Sequence, residues 1–174
     1  MDEHPPPPVS AGLGVHVEQG VPAAALRYFS RTGAFGAAAR AANVTLPETG
    51  QATEAGRDLC LTWRSPTETL CLSRTEQRLR DLKDALAGAP DGCWVELSGG
   101  LSVVHLDGER IEEFLSRLGS SASMPACGEA RHSRMADVPV LALCLRPGAV
   151  QLVLDRAYTE HLLAWIRVTL LDFA

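Results

Sequence analysis

LCLTWRSPTETLCLSR (residues 59–74) and LALCLRPGAVQLVLDR (residues 141–156) read alike: an apolar strand, a proline turn, a second apolar strand, a capping residue and an arginine leading into a helix. The turns are Ser65, Pro66, Thr67 and Arg146, Pro147, Gly148. Proline presets the backbone angle that starts a reversal, and glycine after it fits the positive φ of a type II turn. The pattern returns after about eighty residues in a chain of 174, near half its length. A duplicated β-hairpin-plus-helix unit follows. One such half buries too little apolar surface alone, so the two pack as one α+β domain with antiparallel sheets covered by helices. The chain then divides into a mobile, proline- and glycine-rich tail over residues 1–23, a first half over 24–91 and a second over 92–174.

Outward from the repeats, MDEHPPPPVSAGLG opens the chain with four prolines and two glycines, and Gly12 and Gly14 lack the third glycine and the preceding strand of a dinucleotide loop. ALRYFS reads as a short strand, residues 33–42 as an alanine-rich helix and PETGQATEAGR as a polar connector. Ser73 and Glu76 have capping-box spacing, and the helix they open puts Leu79, Leu82 and Leu86 on one face. CWVEL and LSVVHL flank Gly99 and Gly100 and read as a tight hairpin. A helix over residues 109–118 aligns Ile111, Phe114, Leu115 and Leu118. The loop SSASMPACG follows, and Asp155 caps the last helix.

Composition excludes several functions. The net charge is −5 and no basic run occurs, which argues against nucleic-acid binding. No apolar segment is long enough for a membrane span and no export signal opens the chain, so a cytoplasmic protein is expected. Lys83 is the one lysine, on a helix surface. Five cysteines without CxxC spacing read as small buried hydrophobes in Cys60, Cys71, Cys93 and Cys144, with Cys127 in a loop.

The terminal helix carries the functional signal. At about 100° per residue, Arg156, Glu160 and Arg167 fall within roughly 40° of one another. Tyr158, Leu162, Trp165 and Thr169 form one stripe; Leu163, Ile166 and Leu170 the next; Ala157, His161, Ala164 and Val168 a third. A helix resting on its own sheet needs an apolar arc little wider than about 100°. Two readings compete: a face covered by a protein partner, with Tyr158, His161, Leu162 and Trp165 as interface residues, or a central helix enclosed by its own domain. His161 has no acid or nucleophile one turn away to orient it, which favours a hydrogen-bonded histidine over a general base.

Catalytic patterns are thin elsewhere. His105 lies in a strand, Glu112 and Glu113 on a solvated helix face, and Arg131, His132 and Arg134 in a basic loop cluster before Asp137. No phosphate loop, zinc site or triad emerges, and no catalytic, cofactor-binding or metal-ligating residue is assigned.

From residue 26 to residue 173 the order of elements resembles the gamma subunit of heterotetrameric sarcosine oxidase. The features are the early strand and alanine-rich helix leading to Leu46 and Pro47, LCLTWRSPTETLCLS, WVELSGGLSVVHLDGERIEEFL, and above all ADVPVLALCLRPGAVQLVLDRAYTEHLLAWI. The resemblance implies a fold similar to the folate-binding domain of the glycine-cleavage aminomethyltransferases. It implies a noncatalytic small subunit without a cofactor of its own, in a complex that oxidatively demethylates sarcosine or a related N-methyl amino acid. FAD, FMN, NAD and tetrahydrofolate are then expected in the larger flavoprotein subunits. The alternatives are an independent tetrahydrofolate-binding aminomethyltransferase-like protein, with Asp137 as candidate acid, and a structural homodimer paired through its last helix.

Overall fold

Both proline-turn repeats form antiparallel hairpins in the computed structural model, which describes residues 12–119 and 124–173. In chain order the elements are β1 (Leu13–Gln19), β2 (Ala23–Tyr28), α1 (Ala34–Ala41), β3 (Ala52–Ala55), β4 (Leu59–Ser65), β5 (Glu68–Ser73), α2 (Glu76–Leu86), β6 (Gly92–Glu96), β7 (Leu101–Gly108), α3 (Ile111–Leu118), β8 (Ala130–Met135), β9 (Val138–Arg146), β10 (Ala149–Asp155) and α4 (Thr159–Leu170). Short 3₁₀ turns flank α4 at Arg156–Tyr158 and Leu171–Phe173.

One sheet runs β1-β7-β10-β9-β8, and the other, read from its far edge, β6-β2-β5-β4-β3. The orders match strand for strand, as duplication requires. The sheets stack face to face, and their strands alternate accordingly. Val103, Leu141, Leu143 and Val153 meet Leu70, Leu72 and Ala23 between the sheets. Val104, Ala142 and Leu152 face the opposite way, toward Phe114 and Leu115 of α3 and Leu162 and Ile166 of α4. Leu26, Leu61 and Cys71 likewise face Phe35 of α1 and Leu79 and Leu82 of α2. The result is four layers, helices outside and two sheets within. Central strands buried on both faces need apolar side chains at every position, so 140–144 is an unbroken buried run.

Each half lends the other its outer strand. β1, at residues the sequence reading puts in the tail, pairs along its whole length with β7, placing Val15 opposite Leu106 and Val17 opposite Val104. β6 pairs with β2 in the sheet of the first half. The tail assignment over residues 1–11 lies outside the described residues. The hairpin expected at Gly99 and Gly100 is a crossover instead: β6 and β7 lie in different sheets. Gly99 does take the positive φ of 82° that a turn uses, and Ser98 Oγ accepts from Ala23 N at 3.1 Å, tying the turn to β2. Turn chemistry permits a reversal without choosing the strand's partner; the open edge of β2 chooses it.

Three further differences are local. The polar connector contains β3, an edge strand too short for a periodic signal. The basic cluster lies on β8, joined to β9 through Ala136 and Asp137 at φ 48° and 63°, a two-residue turn made without glycine. α2 is capped by Thr75, whose hydroxyl accepts from Arg78 N, while Ser73 bonds Thr75 instead of opening the helix. In α1, Asp91 from the end of the first half accepts from Phe35 N at 2.6 Å and supplies the missing N-terminal cap.

Candidate functional site

α4 is set down by local chemistry at its start. Asp155 Oδ1 accepts from Ala157 N at 2.8 Å, and the buried Thr159 and Ser102 hydroxyls pair at 2.8 Å, fixing the first turn to β7. Its inner face, Leu162, Leu163, Ile166, Thr169 and Leu170, is buried against α3 and the sheet. At its far end Phe173 packs edge-on to Phe114 at 5.5 Å with the Arg110 guanidinium 4.6 Å above its ring.

The outer face is apolar and open. Tyr158 is 46% exposed, Trp165 51%, Val168 61% and Leu171 71%, with Ala157, His161 and Ala164 exposed among them. From the helical repeat these seven span an arc of about 140° centred on His161, with Arg156, Glu160 and Arg167 along one edge. The enclosed-helix reading is therefore overturned: the domain covers one side of α4 and leaves another bare. Of the four residues expected at an interface, Tyr158, His161 and Trp165 lie on this face. Leu162 does not. It is fully buried and belongs to the core, because the arc beside Tyr158 and Trp165 turns inward at its position. Val168 and Leu171 share this face, although the sequence does not single them out; the arc width implied an uncovered apolar face, but only the position of the sheet says which face it is. His161 Nε2–H donates to the Ala136 carbonyl at 3.1 Å, so the ring is anchored to the β8–β9 turn and not held against an acid. Phe29, 88% exposed at the end of β2, is a separate exposed aromatic that no periodic pattern marks.

A second feature is a polar cleft of about 1010 Å³ where the two sheets part. β1 and β7 place His16 opposite His105, and β10 places Gln151 beside them in the same row. The imidazoles lie 5.7 Å apart, and Glu18 Oε1 is 3.5 Å from His105 Nε2, an ion-pair separation that makes no aligned hydrogen bond. Burial holds His105 below its ordinary value of 6.5; Glu18 opposes that and His16 adds to it. From the other sheet come Cys60, Ser73, Arg57 and Arg74. Cys60 is pushed up to about 12 by burial, and the Ser73 hydroxyl donates to the Thr75 carbonyl at 2.8 Å. Neither is an activated nucleophile.

The remaining candidates do not converge. Asp137 is exposed at the β8–β9 turn and is not among the residues lining the cleft. His132 Nε2 meets the Arg64 carbonyl at 2.8 Å, and its ring lies edge-on to Trp63. Glu113 pairs with Arg110 on the surface of α3. Cys60, Cys71 and Cys144 are withdrawn from solvent as expected, but Cys93 is exposed on the edge strand β6. Among the described residues no group of three or more histidine, cysteine or acidic side chains is placed to hold a metal, and no helix is long and apolar enough to cross a membrane.

No family model and no curated protein sequence matches this chain. Solved structures do. Heterotetrameric sarcosine oxidase from Corynebacterium sp. U-96, in complex with pyrrole 2-carboxylate, contains a chain that superposes with a TM-score of 0.81 at 23% identity, over 92% of this chain and 85% of that one. Glycine cleavage system aminomethyltransferase T from Bartonella henselae superposes with a TM-score of 0.61 at 12% identity, over 90% of this chain and 46% of that one. The regulatory subunit of aspartate kinase from Thermus thermophilus gives 0.52 at 14% identity. The chain thus has the α+β fold of a sarcosine oxidase subunit of similar length, the fold that recurs within the longer aminomethyltransferase.

Proposed function

We propose that this chain is a noncatalytic small subunit of a heterotetrameric complex of the sarcosine oxidase type, which oxidatively demethylates sarcosine or a related N-methyl amino acid. It docks on larger flavoprotein subunits through the outer face of α4, and those subunits hold FAD, FMN, NAD and tetrahydrofolate. The observation that carries this reading is the apolar face of α4, where Trp165, Val168 and Leu171 are each more than half exposed. A contiguous apolar face on a folded domain is a site for association. The fold supports the same reading.

The test is capture of the tagged chain from its own cells. A yellow complex with flavin absorption that bleaches anaerobically on adding sarcosine or another N-methyl amino acid is the expected outcome. A colourless, monodisperse monomer refutes it. Tetrahydrofolate binding to the lone chain by calorimetry points instead to an independent aminomethyltransferase-like protein.

A further inference from the structure

Two thiols from different parts of the second half meet at the start of β8. Gly128 N donates to the Cys144 carbonyl at 2.7 Å, and Cys144 N donates to the Glu129 carbonyl at 3.1 Å. Two residues thus face one, with Gly128 at φ 83°, the arrangement of a β-bulge. The bulge brings Cys127, next in the chain, alongside Cys144. Cys127 is exposed, Cys144 is buried, and both are free. The Cys144 Sγ–H donates to the Arg146 carbonyl at 3.1 Å. Burial first, then the neighbouring Cys127 thiol by charge and by hydrogen bond, raise the Cys144 thiol above its ordinary value.

An exposed cysteine held next to a sheltered one by the backbone pairing of a bulge is the arrangement of an attacking and a resolving cysteine. We infer that Cys127 and Cys144 form an oxidation site that closes to a disulfide with hydrogen peroxide or another two-electron oxidant. The Cys127 thiolate attacks one peroxide oxygen; an S–O bond forms, the O–O bond breaks, and the departing hydroxide takes up a proton to leave as water. Cys127 is then a sulfenic acid. The Cys144 sulfur, giving up its proton, attacks the sulfenic sulfur; the S–S bond forms and the S–O bond breaks with loss of a second water. Two thiols and one peroxide become one disulfide and two waters. The bond ties the segment before β8 to β9. It is independent of the subunit assignment, because the oxidant is added.

The other cysteines serve as internal controls. Burial pushes Cys60 and Cys71 up to about 12, which leaves them inert, and Cys93 sits on β6 in the other sheet. The full chain, reduced and then exposed to stoichiometric hydrogen peroxide, is read by intact mass and peptide mapping. The expected result is loss of two hydrogens, a crosslinked peptide joining Cys127 to Cys144, and reversal by dithiothreitol. Cys127→Ser, on an exposed loop, abolishes the crosslink. Cys144→Ala leaves a sulfenic acid at Cys127 that dimedone traps, whereas the wild type gives no dimedone adduct there. Oxidation of Cys127 to sulfinic acid in the wild type without a crosslink, or a crosslink to Cys93 in its place, overturns the inference. If Cys144→Ala does not fold, the wild-type map and Cys127→Ser still decide.

Discussion

Trp165→Glu puts a carboxylate on the bare face of α4, and its effect on assembly can be worked from exposure. A tryptophan offers up to about 250 Å², and with 51% of it open about 125 Å² remains for a partner to cover. At about 25 cal/mol/Å² that is about 3 kcal/mol of association energy, or roughly a hundredfold in Kd. The carboxylate adds a desolvation cost if it is buried at an interface. The isolated chain loses far less, because only the ring's inner side packs on its own domain: about 1 to 2 kcal/mol, within the usual range for a single substitution. Two assays separate the effects, a thermal melt of the lone chain and co-purification with the larger subunits. Ile166→Glu is the control, one residue along and fully buried, and it unfolds the chain. Wild-type affinity in Trp165→Glu, or a collapse of the lone chain as complete as that of Ile166→Glu, refutes the placement of the interface.

Four further outcomes are expected. Leu162→Ala, in the core, costs the lone chain about 2 to 5 kcal/mol by denaturant titration, while any chain that folds keeps its affinity for the partner. Gly36→Ala lowers stability by about 1 to 3 kcal/mol, since an added Cβ falls 1.8 Å from the Arg31 carbonyl oxygen; an unchanged melting temperature rules out that packing. A chain beginning at Gly20 lacks β1, bares the edge of β7 and uncovers the core on the Leu13 side, so it aggregates or self-associates in sedimentation; a stable monomer contradicts the strand exchange. His105 is held below 6.5 by burial, so the unfolded chain takes up a proton first as pH falls. Its contribution to stability is present above about 6.5 and is lost as pH falls through the lower folded value, and His105→Gln flattens the fall in melting temperature over that range.

The hairpins were legible because proline and glycine fix turn geometry locally and the flanking runs are apolar on both faces. The repeat was legible because the two copies preserve that punctuation. What escaped was anything decided by a distant partner. Leu13, Val15 and Val17 alternate like a half-buried strand, but a proline- and glycine-rich neighbourhood hides the alternation, and only the open edge of β7 explains it. Gly99 and Gly100 signal a reversal with equal force whether the next strand pairs locally or crosses to another sheet. The same holds on α4: the width of its apolar arc pointed to an uncovered face, but separating Leu162 from Val168 requires knowing where the sheet lies.

Duplication supplies a comparison within one molecule. Moving α2 forward by 84 residues brings its buried Leu79, Leu82 and Leu86 onto the buried Leu163, Ile166 and Leu170 of α4. In that register Gln77 falls on His161, Arg80 on Ala164, Asp81 on Trp165 and Asp84 on Val168. Both helices cover the outer face of a five-stranded sheet of matching strand order, so folding asks the same of each: an apolar inner stripe, which both have. α2 meets water with side chains such as Arg80 and Asp81, and Gln77 bonds Asp81 at 2.7 Å along that face. α4 replaces those positions with surface that gains nothing from water. The demands of the fold are alike at the two sites, so on the proposed reading the divergence of their outer faces reflects what meets them: solvent at α2, and an apolar partner surface at α4.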